Sequence, residues 1–176
     1  WTTTYNGTSS LDVSLNDRRR GLLPELSFDT PEALVDMKIA DLNGDGKADV
    51  VTAHGYQTRQ VAVYLGNGTG ALSPPFLTTF TSPLVKIVVV DFNSDGRKDV
   101  FAVTEESKGY VMFSDTNGTL HPASSPPITL SDYSLDMIPG DFNGDSKTDI
   151  LVARQAVWLG DGAGQLTLSA FAVPPR

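Results

Sequence analysis

The sequence predicts an all-β chain of β-propeller blades, each of four short antiparallel strands, about three and a half blades in all. Three observations carry this reading. The stretch "DLNGDGKADV" at Asp41 returns as "DFNSDGRKDV" at Asp91 and "DFNGDSKTDI" at Asp141. Self-similarity at periods of roughly 20–50 residues marks solenoids, propellers or arrays. Between the copies the apolar runs are short, rich in Val, Ile and Phe, and bounded by Asn, Asp and Gly, which is the hairpin signature. No segment holds a helical apolar period over about 11 residues.

The elements follow in order. Each complete copy opens with an apolar strand: "LVDMKIAD", "LVKIVVVD" and the poorer "LDMIPGD". The acidic loop comes next, then a second strand: "DVVTAHG", "DVFAVTE", "DILVARQ". A third strand runs into a Gly-rich turn in "VAVYLGNGTG", "GYVMFSDTNG" and "AVWLGDGAG". The fourth lies in "ALSPPFLTTF", "TLHPASSPPITL" and "QLTLSAFAV". Four strands in this span are the size of one propeller blade.

The first thirty residues fit the same register without its beginning. Val13 and Leu15 stand fifty residues before Val63 and Leu65, "PELSFDT" takes the fourth strand, and "WTTT" falls at the second. The expected division is a partial blade over 1–30 with no acidic loop, then blades over 31–80, 81–130 and 131–176, carrying loops 41–49, 91–99 and 141–149. A partial blade exposes strand edges or uncovered apolar faces. The expectation is therefore self-association, or further blades of a longer chain. A heterologous contact that does not close would make a filament.

Composition narrows the function. The net charge is −8, yet nine of the 21 acidic residues are the Asp of the three loops, and the 12 that remain face 13 Lys and Arg. Acidity is thus local, and no basic face points to nucleic acid. No apolar run approaches the ~18–20 residues that span a bilayer, so membrane insertion is not expected. Cysteine is absent, which leaves stability to packing, metal or assembly. A first residue Trp1 in place of Met is expected of a processed or partial chain.

Each loop places side-chain oxygens at positions 1, 3, 5 and 9 and a backbone carbonyl at position 7. These are Asp41, Asn43, Asp45, Asp49 and the Lys47 carbonyl; Asp91, Asn93, Asp95, Asp99 and the Arg97 carbonyl; and Asp141, Asn143, Asp145, Asp149 and the Lys147 carbonyl. Alternate residues of a tight turn point at one centre, and hard oxygens without His or Cys favour Ca²⁺ over Zn²⁺ or copper. Mg²⁺ is less suited, because it keeps waters and demands a rigid octahedron. Asp and Asn in an ordinary Asx-turn are the plain alternative; three copies that keep every donor while their neighbours vary weigh against it. Up to three Ca²⁺ are expected. Ser146 replaces the Gly of positions 46 and 96, and a positive φ there would weaken the third site.

The D-x-N-x-D-G-x-x-D loop between strands, followed by an "LGNGTG"-type turn, resembles the FG-GAP/VCBS repeat of integrin-alpha-like β-propellers. The resemblance covers three full repeats and one partial one. It implies that a structural calcium ion staples the first two strands of each blade through the fifteen positions named above. It also implies an extracellular, secreted or cell-surface location, because millimolar calcium suits such sites. Relatives of this kind include adhesion receptors, fungal lectins and propellers attached to secreted enzymes. The leading expectation is accordingly a non-enzymatic module for adhesion, scaffolding or self-assembly. A glycan-binding lectin and an accessory segment of a larger secreted enzyme are the alternatives, with a glycan or an extracellular protein as partner.

Weaker signals remain. Asn6, Asn67 and Asn117 each begin an Asn-Gly-Thr sequon, a glycan acceptor in a eukaryotic secreted chain and equally a favoured hairpin turn. Arg18, Arg19 and Arg20 read as a solvated turn. Trp1 and Trp158 are candidates for sugar stacking, but Trp158 aligns with Tyr64 and with Met112 or Phe113 in the third strands, which favours packing between blades. His54 and His121 fall in no nucleophile or metal motif, and no catalytic residues are expected.

Overall fold

The computed structural model describes residues 9–16, 21–30, 32, 34–131, 136–153 and 156–172. Trp1, the "WTTT" run, Asn6 and Arg18, Arg19 and Arg20 lie outside the described residues. What is described is all-β, in four antiparallel sheets that do not close on one another, the form of an open or partial propeller.

The first sheet pairs β1 (Ser9–Val13) with β2 (Leu26–Thr30). Beyond it Asn16 bridges Leu22, as Gly66 bridges Leu72 in the next repeat, and the Leu23 and Ser73 amides donate to the Leu15 and Leu65 carbonyls. The fifty-residue register between the partial and first full blades is therefore structural. The second sheet runs in sequence order: β3 (Leu34–Ala40), β4 (Asp49–His54), β5 (Gln60–Tyr64) and β6 (Phe76–Thr79). The third holds β7 (Leu84–Val90), β8 (Asp99–Thr104) and β9 (Lys108–Ser114), with β10 (Leu120–Pro122) and β11 (Ile128–Thr129) both paired to β9. The fourth holds β12 (Met137–Gly140), β13 (Asp149–Val152), β14 (Ala156–Gly160) and β15 (Leu166–Ala172).

The outer strand expected from "TLHPASSPPITL" as one piece is two. Pro122, Pro126 and Pro127 have no N–H to give the ladder, so the edge breaks between them and resumes at Ile128.

Side chains alternate across a strand, and here the alternation assigns each residue to one of two neighbouring blades. Val51, Ala53, Val61 and Val63 point forward and pack with Val100, Ala102, Met112 and Leu120 of the next sheet. Phe101, Val103 and Val111 point forward in turn onto Ile150, Val152 and Leu166. Backward-facing Val50, Ala62 and Tyr64 meet Leu11 and Phe28 of the partial blade. The core thus lies between sheets, not within one. The first strands β3, β7 and β12 line a common cleft of about 490 Å³, reached by Asp36, Lys38, Lys86 and Met137.

Candidate metal centres

Each acidic loop joins the first strand of a sheet to the second, and its sequence dictates its path. Asp41 Oδ1 accepts the amides of Gly44 (2.8 Å) and Asp45 (3.2 Å), and its Oδ2 accepts that of Gly46 (2.8 Å). Asn43 Oδ1 accepts the Asp45 amide at 3.0 Å, and Asp45 Oδ1 accepts that of Lys47 at 2.9 Å. The second loop repeats the pattern, with Asp91 accepting from Asp95 and Gly96, Asn93 from Asp95, and Asp95 from Arg97. So does the third, where Asp141 accepts from Gly144, Asp145 and Ser146, Asn143 from Asp145, and Asp145 from Lys147.

Position 9 does something else. Asp49, Asp99 and Asp149 are fully buried. Asp49 Oδ2 takes the Leu42 amide at 2.9 Å and its Oδ1 the Gly66 amide at 2.8 Å. Asp99 takes the amides of Phe92 and Ser114, and Asp149 those of Phe142 and Gly160. One carboxylate at the head of the second strand thereby fastens the end of the first strand and the end of the third. The spacing of the loop marked these residues as ligands but held no sign of this second role, because the partners at positions 66, 114 and 160 become neighbours only in the sheet.

Electrostatics follow the same division. Lys47 Nζ sits 2.9 Å from Asp45 Oδ2, and this contact, with the Lys47 amide, holds the Asp45 carboxyl below the usual carboxylate range. The Arg97 guanidinium pairs with Asp95. The Ser146 amide is the main cause of a lowered Asp141. Burial pushes Asp99 up, against the pull of the Ser114 and Phe92 amides, and the negative charges of Asp95 and Asp91 add to the rise. Among the described residues no three acidic or histidine side chains are gathered as a metal-ligating group; the carboxylates are turned onto the loop's own amides and cations. The donor chemistry still fits a hard cation. All donors are oxygens, a carboxylate oxygen that accepts one N–H keeps a second lone pair, and the repulsion felt at Asp99 is what a divalent ion would relieve.

Position 6 carries positive φ throughout, at Gly46 (80°), Gly96 (88°) and Ser146 (66°). Position 4 does the same at Gly44 (78°), Ser94 (60°) and Gly144 (80°). The left-handed backbone expected at Ser146 is present, and Ser94 imposes a like strain on the second loop, which the loop motif does not mark.

Of the other candidates, Asn67 and Asn117 are exposed in the turns after β5 and β9. Asn67 Oδ1 accepts the amide and hydroxyl of Thr69, and Asn117 Oδ1 those of Thr119. Asn67 also borders an open groove with Asn43, Asp45 and Lys47. Trp158 pairs across from Ile150 and packs on the core between the third and fourth sheets. His54 is sealed inside, with Nε2 2.8 Å from Thr52 Oγ1 and Nδ1 3.2 Å from the Glu32 carbonyl, and burial lowers its pKa. His121 pairs with Asp115 at 2.9 Å.

Four antiparallel sheets in sequence order, each complete one headed by the same acidic loop, define a repeat module of the open-propeller class. A family model described as "FG-GAP-like repeat" matches residues 41–102 and again 91–152. The two matches overlap through the second loop and take in more than half of the sequence; the chain belongs to the FG-GAP-like repeat family. No curated protein matches it.

Proposed function

We propose that the chain is a non-catalytic, extracellular propeller module stabilised by Ca²⁺, serving adhesion, scaffolding or self-assembly. The observation that carries this is the threefold recurrence of one loop with one set of oxygen donors and one hydrogen-bond plan. Asp41, Asn43, Asp45 and Asp49 with the Lys47 carbonyl would hold the first ion, and the matching sets at 91–99 and 141–149 the other two. Bound there, the ion would supply positive charge among the loop's carboxylates and tie the turn to the second strand. The non-catalytic reading draws support from His54, which is closed off from any substrate. Family membership and the concentration such loops require support an extracellular setting.

A thermal melt with and without chelator tests the metal. An ion bound only by the folded chain raises stability by an amount set by its concentration over Kd, so EDTA must lower Tm and added Ca²⁺ restore it. An unchanged Tm would sink the proposal. Exposed Asn67 and Asn117 serve as glycan acceptors on the same rim, and material secreted from eukaryotic cells is expected to lose mass on glycosidase treatment. Unaltered mass would remove that part.

A further inference from the structure

Neighbouring acidic loops are joined to one another by hydrogen bonds. The Lys98 amide, at position 8 of the second loop, donates to the Asp41 carbonyl of the first at 3.2 Å. That N–H shares a peptide unit with the Arg97 carbonyl, the position-7 donor of the second loop. The accepting carbonyl shares its own unit with the Leu42 N–H, which donates to Asp49 Oδ2 at 2.9 Å. Two peptide units thus run in series from an oxygen donor of the second loop to a carboxylate donor of the first. Ser114 makes a parallel link: its amide donates to Asp99 Oδ1 at 3.0 Å and its hydroxyl to the Leu42 carbonyl at 2.8 Å.

The second and third loops keep the accepting half of this arrangement and change the donating half. The Phe92 N–H donates to Asp99 Oδ2 at 2.9 Å, as Leu42 does to Asp49. The Asp91 carbonyl, however, accepts from the Thr148 hydroxyl at 2.7 Å, a side-chain group that is not conjugated with the Lys147 carbonyl. At the place of Ser114 stands Gly160, whose amide serves Asp149 and which has no side chain to reach back. The chain therefore carries its own control, one pair of loops joined through peptide units and one pair that is not.

Resonance makes the two ends of a peptide unit interdependent. Electron density drawn from the C=O leaves the N–H a stronger donor, and hydrogen bonds in series reinforce one another by about 10–30% per bond. A cation on the Arg97 carbonyl would tighten the Lys98–Asp41 bond, and with it the Leu42–Asp49 bond that holds a donor of the first loop in place. We infer that the first and second loops take up Ca²⁺ with positive cooperativity through the Arg97–Lys98 peptide unit, and that the third loop stands outside this coupling. This rests on the calcium reading of the proposed function and adds how the sites act on one another. Two divalent ions in adjacent loops repel, so plain electrostatics gives the opposite sign.

Isothermal titration of the 176-residue chain with Ca²⁺ tests the coupling. Asp45→Ala, Asp95→Ala and Asp145→Ala, alone and in pairs, leave two loops or one loop able to bind. With the first and second loops intact, the product of their binding constants should exceed the product of the two single-loop constants by about fivefold or more. With the second and third intact, the product should be no greater than that of the singles. Equal or smaller products for the first pair would overturn the cooperativity, and equal enhancement in both pairs would overturn its assignment to the peptide unit. Should a doubly substituted chain not fold, the Leu42 amide resonance reads the same link in Asp45→Ala alone. Calcium entering the second loop is expected to shift it, and an unmoved resonance counts against the coupling. Single loops that bind without enhancement leave the calcium reading intact; no heat in any chain, with a Tm indifferent to chelator, overturns both.

Discussion

Ser94 and Ser146 show how one side-chain atom sets a local cost. Both adopt the left-handed region that their loop mates fill with glycine. At Gly46, Gly96 and Gly144 an added Cβ would meet nothing within 4 Å, so the penalty is conformational, not steric crowding by the fold. Glycine relieves roughly 1–2 kcal/mol of left-handed strain and returns part of it as unfolded-chain entropy. Ser94→Gly and Ser146→Gly should each stabilise the chain by about 0.5–1 kcal/mol in urea titrations under EDTA; no gain in either would show that the loops tolerate the strain. His54 gives the pH dependence. Its neutral ring is held by the Thr52 hydroxyl and the Glu32 carbonyl, and burial keeps its folded pKa below the ordinary value of 6.5. The unfolded chain therefore binds a proton near that pH which the folded chain resists. This contribution is fully present above pH ~6.5 and is lost as the pH falls from there through the depressed folded pKa, at up to about 1.4 kcal/mol per pH unit. His54→Gln is expected to flatten the stability profile between neutral and mildly acidic pH. Equal slopes for both chains would show that the ring takes up its proton inside the fold without penalty.

At the scale of the element, substitution separates the buried carboxylate of the acidic loop from its exposed ones. Asp149 is buried with both oxygens on backbone amides. Asp149→Asn turns an NH₂ toward one of those N–H groups and leaves a buried donor unsatisfied, a loss of about 1–3 kcal/mol even without metal. Asp45 is exposed and held mainly by its own loop, so Asp45→Asn should change metal-free stability little and reduce the gain from Ca²⁺. Unfolding curves with and without chelator read both effects. A metal-free Asp149→Asn as stable as the parent would refute the staple. The broken outer strand of the third sheet belongs to this scale too: Pro122, Pro126 and Pro127 withhold their amides from the ladder, so the edge divides into β10 and β11.

For the whole molecule, the decisive fact is that every core is shared by two sheets. Leu42 of one blade packs with Met112 and Leu120 of the next, and the Ser114 hydroxyl closes on the Leu42 carbonyl at 2.8 Å. The Thr148 hydroxyl reaches the Asp91 carbonyl at 2.7 Å in the same way. Neighbours coupled like this unfold together. Removing calcium should shift one cooperative transition, seen alike by circular dichroism and tryptophan fluorescence. Separate transitions for the two probes would mean that the blades are thermodynamically independent.

The sequence by itself determined the period and the succession of strands, because both are local: a loop of nine residues and strands with a two-residue alternation are written in consecutive letters. Position 2 of the loop shows where that ends. Leu42, Phe92 and Phe142 looked like interchangeable neighbours of the ligands, and nothing in the motif separates the two buried in a core from the one left on the surface. Likewise Asp49 read as a ligand, while its hold on the Gly66 amide depends on a strand that returns seventeen residues later. Only the tertiary structure decided these points, since burial and long-range hydrogen bonding depend on which sheet lies opposite.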